Sequence, residues 1–180
     1  DFMHISIEGE NVARGEGYRR ASLYLKDGSR MTFYLPDEGV TVEALLQREN
    51  FLREAGDLLV DALEVRVNWS VPKFDLHDSL ELNDALQALG VTDAFDAAKA
   101  DFTPLTEQTA YVESVNQAAR VRINEEGMEA AAFTEVQEAG AGAPQELDEE
   151  EMNLNRPFLF AIWKDGAPLF VGAVQTMEEM

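Results

Sequence analysis

Few residues of this chain have the type and spacing that catalysis or metal binding needs. The 180 residues include two histidines, His4 and His77, and no cysteine. Neither histidine has a second His or a Cys at ligand spacing, so no zinc site is expected, and without cysteine there is no thiol nucleophile, thiolate ligand or disulfide. His77 lies between Asp75 and Asp78 and reads as a surface residue near a helix start. G-x-S-x-G, P-loop and dinucleotide fingerprints are all absent. The 35 Asp and Glu residues would include acid/base pairs by chance alone. Glu146 and residues 148–151 concentrate carboxylates without the alternating spacing of a calcium loop, which favours a solvated acidic segment. No metal or cofactor is expected, and the chain does not read as an enzyme.

Composition narrows the partners. A net charge of -21 opposes binding to nucleic acid, which needs clustered Lys and Arg to release counterions, and to anionic membrane surfaces. The apolar runs are too short to span a bilayer, and no signal peptide opens the chain. Apolar residues make up 46%, enough for a core in one domain.

The elements alternate between strand and helix signals. Residues 20–26 and 30–35 alternate around Asp27-Gly28-Ser29, a hairpin signal, with Leu23, Leu25, Met31, Phe33 and Leu35 on the apolar side and Tyr24 and Tyr34 on the other. Thr41 is placed to cap a helix carrying Val42, Leu45 and Leu46, followed by an irregular helical region with Leu52, Leu58 and Leu59, broken at Gly56. Leu63, Val65, Val67 and Trp69 form one face of a strand, and Pro72 then implies an edge or a bend between two sheets. Asp78 and Glu81 fit a capping box for a helix over 78–89 that ends at Gly90. Val121 and Ile123 mark a strand over 120–124. Beyond it, residues 125–144 are dominated by Glu, Ala and Gly, a composition that alone fits a solvated helix or linker.

The flanks of that tract point further. NEEGMEAAAFT at 124–134, NRPFLFAIW at 155–163 and PLFVGAV at 168–174 together resemble the hinge and C-terminal strands of the serpins, the serine protease inhibitor family. YLPDEG at 34–39, VPKF at 71–74 and the order of Leu89-Gly90, Phe95, Ala100-Asp101-Phe102 and Ala118-Ala119 extend the resemblance over the whole chain, matching the C-terminal half of a serpin. It implies an α+β serpin fold, C-terminal half only, with antiparallel sheets, short helices and an exposed reactive-centre loop. Residues 1–180 would be part of one serpin domain, with 125–155 as that loop and an acidic extension. Residues 111–124 would be the strand beside which the loop inserts.

In this resemblance Glu125, Glu126, Gly127, Met128, Glu129, Ala130, Ala131 and Ala132 form the hinge. Met128, Ala130, Ala132 and Thr134 would face the sheet interior on insertion, with no charge or proline among them. Met128 and Phe133 depart from the small residues usual there. Counting from the hinge puts the reactive bond at Ala141-Gly142; counting back from Arg156-Pro157-Phe158 puts it near Glu146, and Ala139 and Ala143 are further candidates. Glu125 would pair with Lys73 as a lock on the hinge.

The implied function is a suicide substrate: a serine protease, elastase-like from the small residue at the bond, cleaves the loop and is trapped as the acyl-enzyme when the loop inserts. The implied setting is extracellular or at the cell surface. The fragment alone should be inactive without the missing N-terminal half, or should self-associate through open sheet edges. A non-inhibitory serpin, serving as protease substrate or binding module, is the alternative that Met128 favours. An unrelated acidic α+β domain would instead put a helix at 125–138.

Overall fold

The computed structural model describes residues 1–49, 51, 63–124 and 147–176, and falls into two compact units, Asp1–Asp75 with Arg122–Met180, and Leu76–Val121. The first unit holds a seven-stranded sheet. In chain order its strands are β1 (Phe2–Gly15), β2 (Tyr18–Tyr24), β3 (Arg30–Pro36), β4 (Leu63–Pro72), β7 (Glu149–Asn153), β8 (Phe158–Lys164) and β9 (Ala167–Val174). Their order across the sheet is β7-β4-β1-β2-β3-β8-β9, antiparallel throughout except that β7 runs parallel to β4.

The β2–β3 hairpin forms where Asp-Gly allows it: Gly28 has φ 79, and the Leu25 N–H donates to the Ser29 carbonyl at 2.8 Å. Alternation implied one buried face, yet every residue from Met31 to Pro36 is buried. Leu23, Met31, Phe33 and Leu35 pack on the expected side. On the other side Tyr34 is buried as well, whereas Tyr24 is 54% exposed. Burial on both faces follows from the helix α1 (Val42–Leu46), whose Val42 and Leu45 join Tyr18, Tyr34, Phe51, Leu159, Ala161 and Trp163 in one apolar cluster. Thr41 caps α1 as its type predicts, its hydroxyl accepting from the Ala44 N–H at 3.2 Å. Leu46 faces away from that cluster and is exposed. Leu52, Gly56, Leu58 and Leu59 lie outside the described residues.

The opposite face gathers Phe33, Val65, Val67, Trp69, Val71, Phe74, Phe158 and Phe160. Ring contacts of 5.5 Å between Phe33 and Trp69 and 5.4 Å between Phe74 and Phe160 tie β3, β4, β8 and the start of the next strand together. β4 is not an edge strand: β1 and β7 flank it, and Pro72 closes it opposite Phe2. Pro72 does stand where the chain passes from one sheet to another, since β5 (Phe74–Glu81) pairs with β6 (Asn116–Ile123) in a separate two-stranded sheet.

The helix over 78–89 is shorter than its sequence signature. Residues 78–81 belong to β5, and helix α2 covers only Asn83–Ala88, with no side chain capping it. The Asp78 carboxylate accepts from the Ser79 N–H at 2.8 Å instead of from a helical turn. A local cap is worth about 1 kcal/mol, less than the several bonds that strand pairing supplies. Asn83 then fastens the corner, donating to the Glu113 carbonyl at 3.0 Å and accepting from the Val115 N–H at 2.8 Å. Gly90, at φ 95, ends α2 as expected. β6 begins at Asn116, so residues 111–115 are not part of the strand. No residue from Leu76 to Val121 is buried.

Candidate functional site

The tract that the sequence singles out is held between two strands. At its N-terminal end β6 has Ala119, Val121 and Ile123 half-buried on one face, with the intervening residues exposed. Among the described residues β6 pairs with β5 alone. Glu125, Glu126, Gly127, Met128, Glu129, Ala130, Ala131, Ala132, Thr134, Ala139, Ala141, Gly142, Ala143 and Glu146 all lie outside the described residues. Lys73 is half-buried between β4 and β5, its ammonium 3.8 Å from the Asp1 carboxylate and its N–H donating to the Asp1 carbonyl at 3.0 Å.

The C-terminal end of the tract differs from expectation. The acidic run does not continue as a solvated extension to residue 155, because Glu149–Asn153 is strand β7. Its register sets Glu149 opposite Arg66, Glu150 opposite Val67 and Met152 opposite Trp69. Alternation turns Met152 and Leu154 inward, at 0% exposure, and Glu149 and Glu151 outward, whereas Glu150 shares the side of Met152 and is half-buried. Arg14 donates to Glu150 at 2.7 Å, Arg19 lies 3.8 Å from the same carboxylate, and Arg66 bridges Glu149 at 3.1 Å and also Glu8. These partners stand as far as 136 residues apart in sequence, so no local pattern announces them. The strands after β7 are fixed by Arg156, whose guanidinium donates to the Pro36 carbonyl at 3.0 and 3.3 Å.

Among the described residues no group of three or more His, Cys, Asp or Glu side chains could hold a metal ion. His4 is exposed on β1 and His77 is exposed on β5, where the latter stands well before α2 rather than at its start.

Comparison with known proteins agrees with this topology. The family model described as Serpin (serine protease inhibitor) matches residues 2–177. The leukocyte elastase inhibitor of Xenopus tropicalis is 34% identical over 136 residues, covering 73% of this chain and 35% of that protein. Serine protease inhibitor 88Ea of Drosophila melanogaster is 32% identical over 137 residues, covering 76% of this chain and 31% of that protein. The native crystal structure of tengpin, a thermophilic serpin, superposes with a TM-score of 0.75 at 30% identity over 98% of this chain and 46% of that one. A serpin of the trematode Schistosoma haematobium shares the fold, with a TM-score of 0.77 over 97% of this chain at 22% identity. The chain spans about a third of the length of these curated relatives and under half of the solved structures. On the family match, its order of strands and the relatives' identities, this chain belongs to the serpins, a family of serine protease inhibitors and not of enzymes.

Proposed function

We propose that this chain is the bait-carrying part of an inhibitor that acts as a suicide substrate of an elastase-like serine protease. The protease serine hydroxyl attacks the Ala141 carbonyl, the Gly142 amine leaves, and Ala141 remains esterified to the enzyme. Residues 127–141 then add as a strand beside β6, with Met128, Ala130, Ala132 and Thr134 inward. Loop insertion in serpins is an established case of strand addition and strain release. A new strand would form on the order of ten backbone hydrogen bonds at about 0.5–1.5 kcal/mol each, enough to hold a displaced protease. The elastase preference rests on the small residue at the bond, and one relative is named an elastase inhibitor.

The observation that carries this reading is that β6, paired with β5, leads directly into a tract of small residues. A second observation supports a polypeptide partner. Leu76–Val121 buries none of its own residues and leaves Leu80, Leu89, Val91, Leu105 and Tyr111 between 44% and 84% exposed, a surface that polypeptide matching the rest of the relatives' length would cover. The acidic surface supports neither nucleic acid nor membrane as partner. Glu125, as the first hinge residue, would pair with Lys73 and hold the sheet closed.

Incubating the full-length protein with pancreatic elastase tests the mechanism. A covalent complex that survives denaturing gels is expected, with a released peptide beginning at Gly142. Cleavage without a complex would instead support the non-inhibitory reading, a protease substrate or binding module, for which Met128 at the hinge is the favouring feature.

A further inference from the structure

β1 changes face halfway along. Met3 is buried and Ile5 and Ile7 are half-buried, so odd-numbered residues turn inward at first; beyond the middle it is Val12 that is buried. The ladder to β4 shows where the switch occurs, since Ile7 stands opposite Val67 and Glu10 opposite Val65, one residue more on β1 than on β4. Gly9, at φ 73, supplies the left-handed residue of this bulge. An extra residue inverts which side chains face inward. Glu8 therefore stays outside, paired with Arg66, while Glu10 moves to the face of Val65, Val67 and Trp69.

An acidic side chain thus occupies a core-facing position. Its partner is the Trp69 indole N–H, which donates to the Glu10 carboxylate at 2.7 Å. The charged groups at the same rim are engaged elsewhere: Arg14 and Arg19 hold Glu150 of β7. Arg66 of β4 pairs on the outer face with both Glu8 and Glu149 of β7. Burial pushes the Glu10 carboxyl up from 4.5 to about 7, and the Trp69 bond offsets only part of this. Trp69 is 2% exposed and stands opposite Met152 in the β4–β7 ladder.

We propose that Glu10 is a proton-operated catch on β7: protonated, it is a neutral plug beside Trp69, and ionised, it admits water and loosens Trp69 and the facing Met152. Because the folded protein holds this proton more tightly than the unfolded chain, the stabilisation is complete at low pH. It is lost as pH rises from about 4.5 to about 7. The inference stands on β1, β4 and β7 and is independent of the protease reading.

Hydrogen exchange of residues 147–154 in the 180-residue chain, corrected for intrinsic rates, tests it between pH 5.5 and 8.5. Protection is expected to fall about ten- to a hundredfold through neutral pH in the wild type and to stay level in Glu10→Gln, with Trp69 fluorescence in a Trp163→Phe background following the same midpoint. Glu10→Met, a neutral side chain of similar volume, should match Glu10→Gln and serves if the latter misfolds. A level wild-type profile, or the same pH dependence in these variants, would overturn the proposal.

Discussion

If β7 is held mainly by its buried side chains, Met152→Ala should free it far more than Glu150→Gln. Met152 is fully buried, and truncating such a residue removes its transfer energy and leaves a cavity that the neighbouring Trp69 cannot fill without leaving its contact on Phe33, 5.5 Å away. The cost is about 2–5 kcal/mol. Glu150 looks better connected, with Arg14 at 2.7 Å and Arg19 at 3.8 Å, but the Arg14 side chain is 60% exposed. Solvent screening limits such pairs to about 1 kcal/mol or less. Thermal unfolding with hydrogen exchange of β7 distinguishes the two: Met152→Ala should lower the melting temperature by about 4–20 °C, with exchange rising most in residues 147–154, and Glu150→Gln by about 4 °C or less. A larger loss from Glu150→Gln than from Met152→Ala would refute the reasoning and make β7 an electrostatically held strand.

Gly172 stands opposite Phe160 between β8 and β9, and a Cβ there would fall 2.4 Å from the Phe160 ring. Phe160 is fixed by Phe74, so Gly172→Ala should cost about 1–3 kcal/mol, read as a lower urea midpoint; an unchanged midpoint would show that the ring yields freely. Glu125→Lys in the full-length protein should promote loop-sheet polymers by placing a like charge beside Lys73, and unchanged monomer content on native gels after mild heating would refute that pairing. Thr41→Ala removes the hydroxyl that accepts the Ala44 N–H at 3.2 Å and should lower stability by about 1 kcal/mol, measured by denaturant unfolding.

Much was legible from residue order because it depends on interactions between near neighbours. The Asp27-Gly28 turn, the Thr41 cap, the inward face of β4 and the stop at Gly90 each follow from backbone preference or side-chain alternation. The family resemblance was legible too, in short strings such as VPKF and NRPFLFAIW. Local rules failed where a distant segment competes. The capping pattern at Asp78 and Glu81 gave way to β6, and the acidic run became an edge strand because β4 offers it a ladder, a buried slot for Met152 and arginines at the rim. By itself the sequence determined the turns, caps, amphipathic faces and small-residue tract. Only the tertiary structure decided that Tyr34 is buried on a two-sided strand, that β7 runs parallel to β4 and that the half-buried Glu10 turns toward Trp69. The reason is that each depends on which separate segments stack or pair, and hydrophobic burial rewards that pairing without leaving a local signature.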